Sequence, residues 1–194
     1  MLKHMVAAIV VLGLLSGGAG AADWTIDKAH SSINFSVRHL VISKTNGRFH
    51  DFDGEISFDG ENWDKANAEM TVKIASIDTD NKDRDDHLRS PDFFDAAKYP
   101  DMVFKSKKVV KGEGKRFQLI GDLTIKDVTR EVTFDCEFHG IAEFMGTKKA
   151  GFTAQAKIDR KDFGMTWNKV LDAGGVAVGN EVTITLEIEA DMAG

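Results

Sequence analysis

The stretch Val182-Thr183-Ile184-Thr185-Leu186-Glu187-Ile188-Glu189 decides the fold class, because every second residue in it is apolar and the residues between are polar. An apolar period of two is that of a β-strand with one dry face and one wet face. Seven further stretches share the pattern, over residues 33–37, 52–58, 68–74, 102–110, 117–125, 132–138 and 150–158. Eight such strands in one domain predict an antiparallel all-β fold, either a closed barrel or a sandwich.

Short turns join four consecutive strands. They contain glycine or aspartate, which tolerate turn conformations, and they fall at residues 111–115, 126–129 and 144–148. We therefore predict a meander of four strands over residues 103–158.

Two longer connections, residues 77–100 and 159–180, carry more apolar area than a solvated loop should. In the first, Asp80 or Asn81 can cap a helix, and we expect this helical segment to pack against a barrel end or across its mouth. We expect the second to fold back over one barrel end, since a structureless loop of that length is uncommon unless it is functional.

The chain begins with a predicted signal peptide. A short basic start precedes the apolar run from Met5 to Leu15, and Ala19-Gly20-Ala21 fits the rule for signal peptidase. The run is shorter than the roughly 20 apolar residues that span a bilayer. We therefore expect cleavage and export, the alternative being an uncleaved anchor. Residues 1–21 are assigned to the signal peptide and residues 22–194 to one β-barrel domain.

Charge and cysteine content exclude several function classes. The chain has 31 acidic and 25 basic residues, a net charge of −6. Nucleic-acid binding needs a concentrated basic face, so it is not expected. The single cysteine, Cys136, lies in phase with an apolar strand face, which favours a buried small hydrophobe over the alternative, a catalytic thiol.

The inward-facing positions mix large and small residues, and this pattern predicts a cavity. Bulky rings at some positions alternate with the small residues Gly54, Ala68, Gly121, Cys136, Ala154 and Ala156. Natural cores do not leave large voids without reason. Either a ligand fills the space, in which case an elongated lipid-like molecule suits the apolar lining, or the barrel is plugged by its own Phe and Trp side chains.

Residues with catalytic or metal-binding chemistry are few and scattered. His39 and His50 are in phase with apolar faces and are expected to be semi-buried rather than ligands or bases. The acidic run at residues 78–89 lacks the glycine and terminal glutamate of a calcium loop, so a solvated helical turn with local Asp–Arg pairs is expected instead. No metal and no cofactor is expected.

Four blocks of sequence carry a family resemblance. They are residues 27–49, which begin Asp27-Lys28-Ala29-His30-Ser31, residues 76–100, Gly121-Asp122-Leu123-Thr124-Ile125 with Val128-Thr129, and Asp162-Phe163-Gly164-Met165-Thr166-Trp167-Asn168. In these blocks the chain resembles the YceI-like family of bacterial periplasmic proteins. One departure is Asp127, where that family more often has glycine before Val-Thr.

The resemblance implies a lipocalin-like, eight-stranded antiparallel barrel with short helical segments, periplasmic location and an elongated apolar cavity. It further implies a polyisoprenoid or other long-chain amphiphile as partner, and it supplies no catalytic residues. We therefore expect a carrier or scavenger without enzymatic activity. The alternatives are an enzyme acting on a lipid or quinone through His39, His50 or Asp78, and a stress-induced protein with a plugged barrel. Homodimer formation is left open.

Strand parity and the aromatic content of the two long connections nominate the ligand-binding residues. They are Phe35, Val37, His39, Phe94, Tyr99, Phe104, Leu123, Phe134, Phe152, Ala154, Trp167 and Asn168.

Overall fold

The computed structural model describes residues 23–40, 42–59, 63–170 and 176–193. The predicted signal peptide lies outside the described residues. Within these residues, one α-helix, α1, spans Lys82–Arg89, and short 3-10 helices span Trp63–Lys65, Ile74–Ser76 and Arg160–Phe163. The strands are β1 Asp23–Ile26, β2 Ser32–His39, β3 Ser43–Phe49, β4 Phe52–Ser57, β5 Asn67–Lys73, β6 Ile77–Asp78, β7 Asp101–Lys111, β8 Arg116–Ile125, β9 Val128–Phe144, β10 Thr147–Asp159 and β11 Val178–Met192. In the described part of the chain, no helix combines the length and the apolar character needed to cross a membrane.

The strands form one closed antiparallel barrel. The first six strands form three strand lines, each made of two strands placed end to end: β1 with β2, β3 with β4, and β5 with β6. Together with β7 to β11, eight strand lines run round the barrel. β11 closes it, because its first part pairs with β2 and its last part pairs with β1, where Trp24 lies opposite Met192. The all-β class and the eight-stranded barrel are thus confirmed, as is the meander, which is β7 to β10.

Each alternating stretch of the sequence belongs to a different strand line, namely β2, β4, β5 or one of β7 to β11. β1, β3 and β6 were not predicted from the sequence. β1 and β6 are too short to show a period, with four and two residues. In β3 the inward positions opposite Val37 and Phe35 are Thr45 and Gly47, so the apolar alternation is absent although the ladder is regular.

The barrel has two different ends. The closed end holds the β7–β8 and β9–β10 turns and a cluster of aromatic rings. The ring centroid of Phe58 lies 4.5 Å from that of Trp63 and 5.4 Å from that of Phe138, and the Trp63 centroid lies 4.5 Å from that of Phe117. The open end holds the β2–β3 turn, α1 and the segment before β11. Arg160 is buried and holds this segment in place, because its Nε donates a hydrogen bond to the Gly179 carbonyl of β11 at 2.8 Å.

Helix α1 begins as expected. The Asn81 side chain caps it by accepting a hydrogen bond from the Arg84 N–H at 2.9 Å. Asp85 is buried beneath the helix and accepts a hydrogen bond from the Thr79 N–H at 2.9 Å. Asp86 pairs with Arg89 at 3.0 Å and also with Lys82. The acidic run is therefore a set of local pairs around a capped helix.

Two of the small inward residues do not leave free space. A Cβ added to Gly121 would lie 2.4 Å from the Lys105 carbonyl oxygen and 2.6 Å from Phe104 Cζ, and one added to Gly54 would lie 2.7 Å from Ile26 Cδ1. The expectation that small inward residues leave volume unfilled is therefore wrong at Gly54 and Gly121. The glycines let neighbouring strands and rings approach closely.

A charged cluster holds the corner between β1 and β2. The Lys149 ammonium lies 3.1 Å from Asp27 Oδ2, 3.0 Å from Glu189 Oε1 and 2.6 Å from Asp191 Oδ1. Hydrogen bonds from His30 and Lys149 hold the pKa of Asp27 well below its usual range, while the three carboxylates raise the pKa of Lys149. The cluster joins this corner to β10 and β11, which is where the barrel closes.

Replacing Gly121 with alanine should destabilise the barrel by roughly 1–3 kcal/mol, because the added methyl group meets the backbone of β7, which cannot yield without distorting the ladder. The matched control is Gly151→Ala in β10, where the nearest atom, His139 Cβ, is at an ordinary 3.6 Å. Denaturant unfolding of both variants measures the difference. Equal stability of the two would contradict the close approach at Gly121.

Asp27→Asn should change how stability depends on pH. The pKa of Asp27 is lower in the folded chain than in the unfolded chain. The carboxylate therefore contributes its full stabilisation when the pH is above the pKa of the unfolded chain, and this stabilisation is lost as the pH falls toward and through the pKa of the folded chain. The stability difference between wild type and variant should therefore shrink below about pH 4. Denaturant midpoints measured across this range test it, with exposed Asp162→Asn as control. A difference independent of pH would show that the carboxylate is not held by the cluster.

Candidate functional site

The barrel encloses an inner cavity of about 120 Å³. Its surface is almost wholly apolar, and rings of the cluster at the closed end form part of its lining. The lining includes Ile33, Phe58, Trp63, Ala68, Met70, Val72, Met102, Phe104, Phe117, Leu119, Leu123, Phe134, Cys136, Phe152, Ala154, Ile184 and Leu186. Such a cavity offers water few hydrogen-bond partners and favours an apolar occupant.

A second compartment, which we call the outer chamber, lies at the open end and has a volume of about 360 Å³. It is lined by Phe35, Val37, Arg38, His39, Thr45, Asp83, Arg84, His87, Leu88, Phe93, Trp167, Ala177 and Val178. In contrast to the inner cavity, it combines aromatic walls with cationic and hydrogen-bonding side chains. It can therefore accommodate a group with both apolar and polar parts.

The boundary between the two compartments crosses β2, since Ile33 lines the inner cavity and Phe35 lines the outer chamber. The Phe35 ring lies over the backbone of Gly47, where an added Cβ would come within 2.3 Å of Phe35 Cζ. Its centroid is 5.7 Å from that of Phe49, which in turn lies 6.1 Å from Phe94. A short row of rings therefore stands at this level of the barrel.

Helix α1 and the segment before β11 meet over the outer chamber. The ring centroid of Trp167 lies 4.8 Å from that of His87 and 5.3 Å from that of Phe93. His87 Nε2 is 2.9 Å from Asp92 Oδ2. The Asn168 amide donates to the Val178 carbonyl at 2.7 Å and accepts from its N–H at 3.1 Å, which fixes the backbone beside Trp167.

The nominated ligand-binding residues divide into three groups. The inner cavity is lined by Phe104, Leu123, Phe134, Phe152 and Ala154, and the outer chamber by Phe35, Val37, His39 and Trp167. Outside the lining of both are Phe94, Tyr99 and Asn168. Of these, Phe94 packs on the core, the Tyr99 hydroxyl donates to Asp127 at 3.0 Å, and Asn168 binds backbone. Ligand binding by the nominated residues stays a prediction.

Several lining residues were not nominated. Met70 and Met102 have inward parity and could have been found from the strand pattern. Trp63 comes from a short 3-10 turn before β5, and no periodicity marks it. Arg38 has outward parity on β2 but lies at the strand end, where the barrel opens into the chamber.

Two histidines are placed differently from expectation. His39 and His50 are exposed rather than semi-buried. His39 lies at the last position of β2, and His50 lies between β3 and β4, where the strand line bends. His50 Nε2 is 2.8 Å from Asp78 Oδ2, and this hydrogen bond, with the Asp80 N–H and Arg48, lowers the pKa of Asp78 to about 2. This pair lies outside the lining of both compartments, so it is not positioned to act on a molecule held there.

The thiol in the inner cavity is poorly suited to chemistry. Cys136 is buried, as expected, and burial raises its pKa to about 12. A thiol of that pKa is protonated at neutral pH and is a weak nucleophile.

Among the residues that the structure describes, one group of side chains has metal-ligand geometry. Ligand atoms of Asp27, His30 and Glu189 all lie within 4.8 Å of one another. The Lys149 ammonium already contacts both carboxylates and supplies the positive charge that they need. The arrangement is therefore explained by the charged cluster at the β1–β2 corner.

Comparison with known proteins places the chain among sequences of one family. The family model described as the YceI-like domain matches residues 24–190. A UPF0312 protein of Staphylococcus aureus strain N315 is 36% identical over 169 residues, which cover 86% of this chain and 96% of that protein.

Solved structures share the barrel. The YceI protein of Campylobacter jejuni superimposes with a TM-score of 0.70 at 35% identity, covering 81% of this chain and 90% of that one. A polyisoprenoid-binding domain from Saccharophagus degradans gives a TM-score of 0.63, covering 89% of this chain and 99% of that one. At 15% identity, the second likeness is one of fold alone.

Trp167→Ala and Phe94→Ala should have different effects, because only the first ring lines the outer chamber. Trp167→Ala should speed the release of an apolar fluorescent dye several-fold with a small change in stability. Phe94→Ala should lower the free energy of unfolding by roughly 2 kcal/mol or more, with little effect on release. Stopped-flow dye release and denaturant unfolding measure both. An unchanged release rate in Trp167→Ala would show that this ring does not cover the compartment.

Proposed function

The chain belongs to the YceI-like family, and from this membership together with the dry cavity of its barrel we propose that it is a periplasmic carrier or scavenger of an elongated amphiphilic lipid of the polyisoprenoid kind. The observation that carries the proposal is the inner cavity, whose lining is almost wholly apolar and includes the small side chains of Ala68, Cys136 and Ala154. The polyisoprenoid-binding domain from Saccharophagus degradans has the same fold and supports this ligand class.

The inner cavity takes the apolar chain of the ligand. Each buried CH₂ group contributes about 0.8 kcal/mol, so a long chain gains affinity with few polar contacts. The free volume of about 120 Å³ is below the roughly 300–1,000 Å³ of typical ligand pockets. A long chain therefore enters only as side chains move, and Met70 and Met102 in the lining have the flexible, unbranched side chains suited to this.

The outer chamber takes the polar head. Arg38 lines it and has no carboxylate partner among the described residues. Arg84 is held in place by Thr79, to which its Nε and Nη2 donate at 2.8 and 2.7 Å, so its Nη1 can meet a ligand. A hydroxyl, carbonyl or phosphate oxygen matches these donors.

Binding without catalysis accounts best for the side chains present. In the described lining of the inner cavity, the thiol of Cys136 has a pKa near 12, and the carboxylate of Glu69 is paired with Lys105 at 2.7 Å. Of the three residues of the enzyme alternative, His50 and Asp78 lie outside both compartments, and His39, exposed at the end of β2, lines the outer chamber.

Export to the periplasm and a transport role complete the proposal. The basic start, the apolar run and the Ala19-Gly20-Ala21 site support export. The intact mass of protein isolated from the periplasm tests it, since a mature chain should lack residues 1–21.

Ala154→Trp should abolish lipid binding while the protein stays folded, because the new ring fills the inner cavity opposite Cys136 and Leu186. The matched control is Gln155→Trp, one residue along β10, where the side chain is exposed and outside the lining. Organic extraction of each purified protein, followed by mass spectrometry, measures the bound lipid.

Wild type and Gln155→Trp should carry the same amphiphile and Ala154→Trp should not. Circular dichroism confirms that each variant is folded. A full complement of lipid in folded Ala154→Trp, or no lipid in any of the three even after incubation with polyisoprenoid, would contradict the proposed function.

A further inference from the structure

Two loops at the mouth of the outer chamber expose apolar side chains to solvent. Ile42, in the turn between β2 and β3, is 83% exposed, and Val170 and Val176, in the segment before β11, are 77% and 39% exposed. The Leu40 N–H donates to the Ala177 carbonyl at 2.9 Å, which holds the two loops side by side. His39 and Ala177, which adjoin these loops, line the chamber, so the exposed apolar side chains lie close to its wall.

The same loops carry positive charge, although Asp83 lines the chamber beside them. Arg38 and Lys44 lie opposite each other in the β2–β3 ladder, and Lys169 lies in the segment before β11. Residues 38–49 contain no aspartate or glutamate, and the acid nearest to Lys169 in the sequence, Asp172, lies outside the described residues. Within the described residues, these three cations have no ion-pair partner. The rim, as we name it, consists of Ile42, Val170, Val176, Arg38, Lys44 and Lys169.

The closed end provides the comparison, because the β9–β10 hairpin also exposes apolar side chains: Phe144 by 64% and Met145 by 90%. The hairpins at that end carry Lys111, Lys115, Arg116 and Lys148 beside Glu113 and Glu143, so charge does not distinguish the two ends of this protein, whose net charge is −6. The rim differs in its position at the mouth of the outer chamber, where the polar head of the ligand would lie.

We propose that the rim docks the open end of the barrel on an anionic lipid bilayer. Exposed apolar side chains next to cations match a bilayer interface, where the apolar groups enter the headgroup region and the cations contact lipid phosphates. A few such groups give weak, reversible binding, which a carrier needs in order to leave the membrane again. The inference rests on the proposed function, because the bilayer would be the source or destination of the bound lipid.

Vesicle co-sedimentation tests the proposal with the mature protein. The vesicles are equimolar phosphatidylglycerol and phosphatidylcholine, with phosphatidylcholine alone as the uncharged reference. Two rim variants, Ile42→Ser/Val170→Ser and Lys44→Glu/Lys169→Glu, remove the apolar and the cationic part separately. The matched control is Phe144→Ser/Met145→Ser at the closed end. None of the substituted residues lines either compartment, so the lipid extracted from each variant should equal that of wild type.

Wild type should sediment with the anionic vesicles and much less with phosphatidylcholine. Each rim variant should lower the partition coefficient at least about tenfold, and the control should match wild type. Rim variants that sediment like wild type, a loss confined to the control, or no wild-type binding would overturn the docking proposal. So would a dimer that only the rim variants dissociate, since the rim would then be a subunit interface. Lipid in the cavity without vesicle binding contradicts this inference alone, whereas vesicle binding without lipid contradicts the proposed function.

Discussion

The pairing of β11 with both β1 and β2 is the constraint on which the rest of the molecule depends. β11 has 15 residues, and along one edge it pairs first with β2 and then with β1. The chain bends between β1 and β2 at a corner that begins at Asp27. Without the contact of Trp24 and Ile26 with Met192 and Ala190, the sheet would have two open edges and its apolar face would be wetted. The Lys149 ammonium contacts three carboxylates at this corner and offsets part of their mutual repulsion.

Closure creates an interior that is dry at one end and polar at the other. At the closed end, rings from the segment before β5 and from β8 to β10 fill the barrel. At the open end, β3 extends beyond β6, which pairs with it only at Arg48 and Phe49, and residues of α1 together with Trp167 line the chamber there. A lipid has the same asymmetry, with an apolar chain and a polar head. The match between the two gradients, rather than any single side chain, is what makes the barrel suited to such a ligand.

Much of the fold could be predicted from the sequence, because alternation over five or more residues reports a strand with one buried face. Each of the eight alternating stretches is in a strand line of the barrel. The features that were missed have local causes. β3 shows no apolar alternation, since Gly47 makes room for Phe35 and Thr45 faces the chamber. Gly54 and Gly121 cannot be distinguished in sequence from residues that leave a void, because what fills the space comes from other strands.

The candidate site was harder to predict than the fold. The alternation of inward and outward side chains along a strand identified inward residues such as Phe104 and Ala154. It could not show that Phe35 and Phe152 lie in different compartments. The chamber's cations come from a strand end and a helix, where a period of two carries no information. Arg38 is an example, since its parity is outward although it lines the chamber.

The most direct test of the account is photo-cross-linking with a polyisoprenoid analogue that carries a diazirine at the end of its tail. After irradiation, proteolysis and mass spectrometry identify the labelled residues. The account predicts labels in the lining of the inner cavity, at residues such as Met70, Phe117 and Phe152, and none on the outer face of the same strands. Labels confined to the outer chamber or to the exterior would contradict it, because the apolar chain would then bind without entering the barrel.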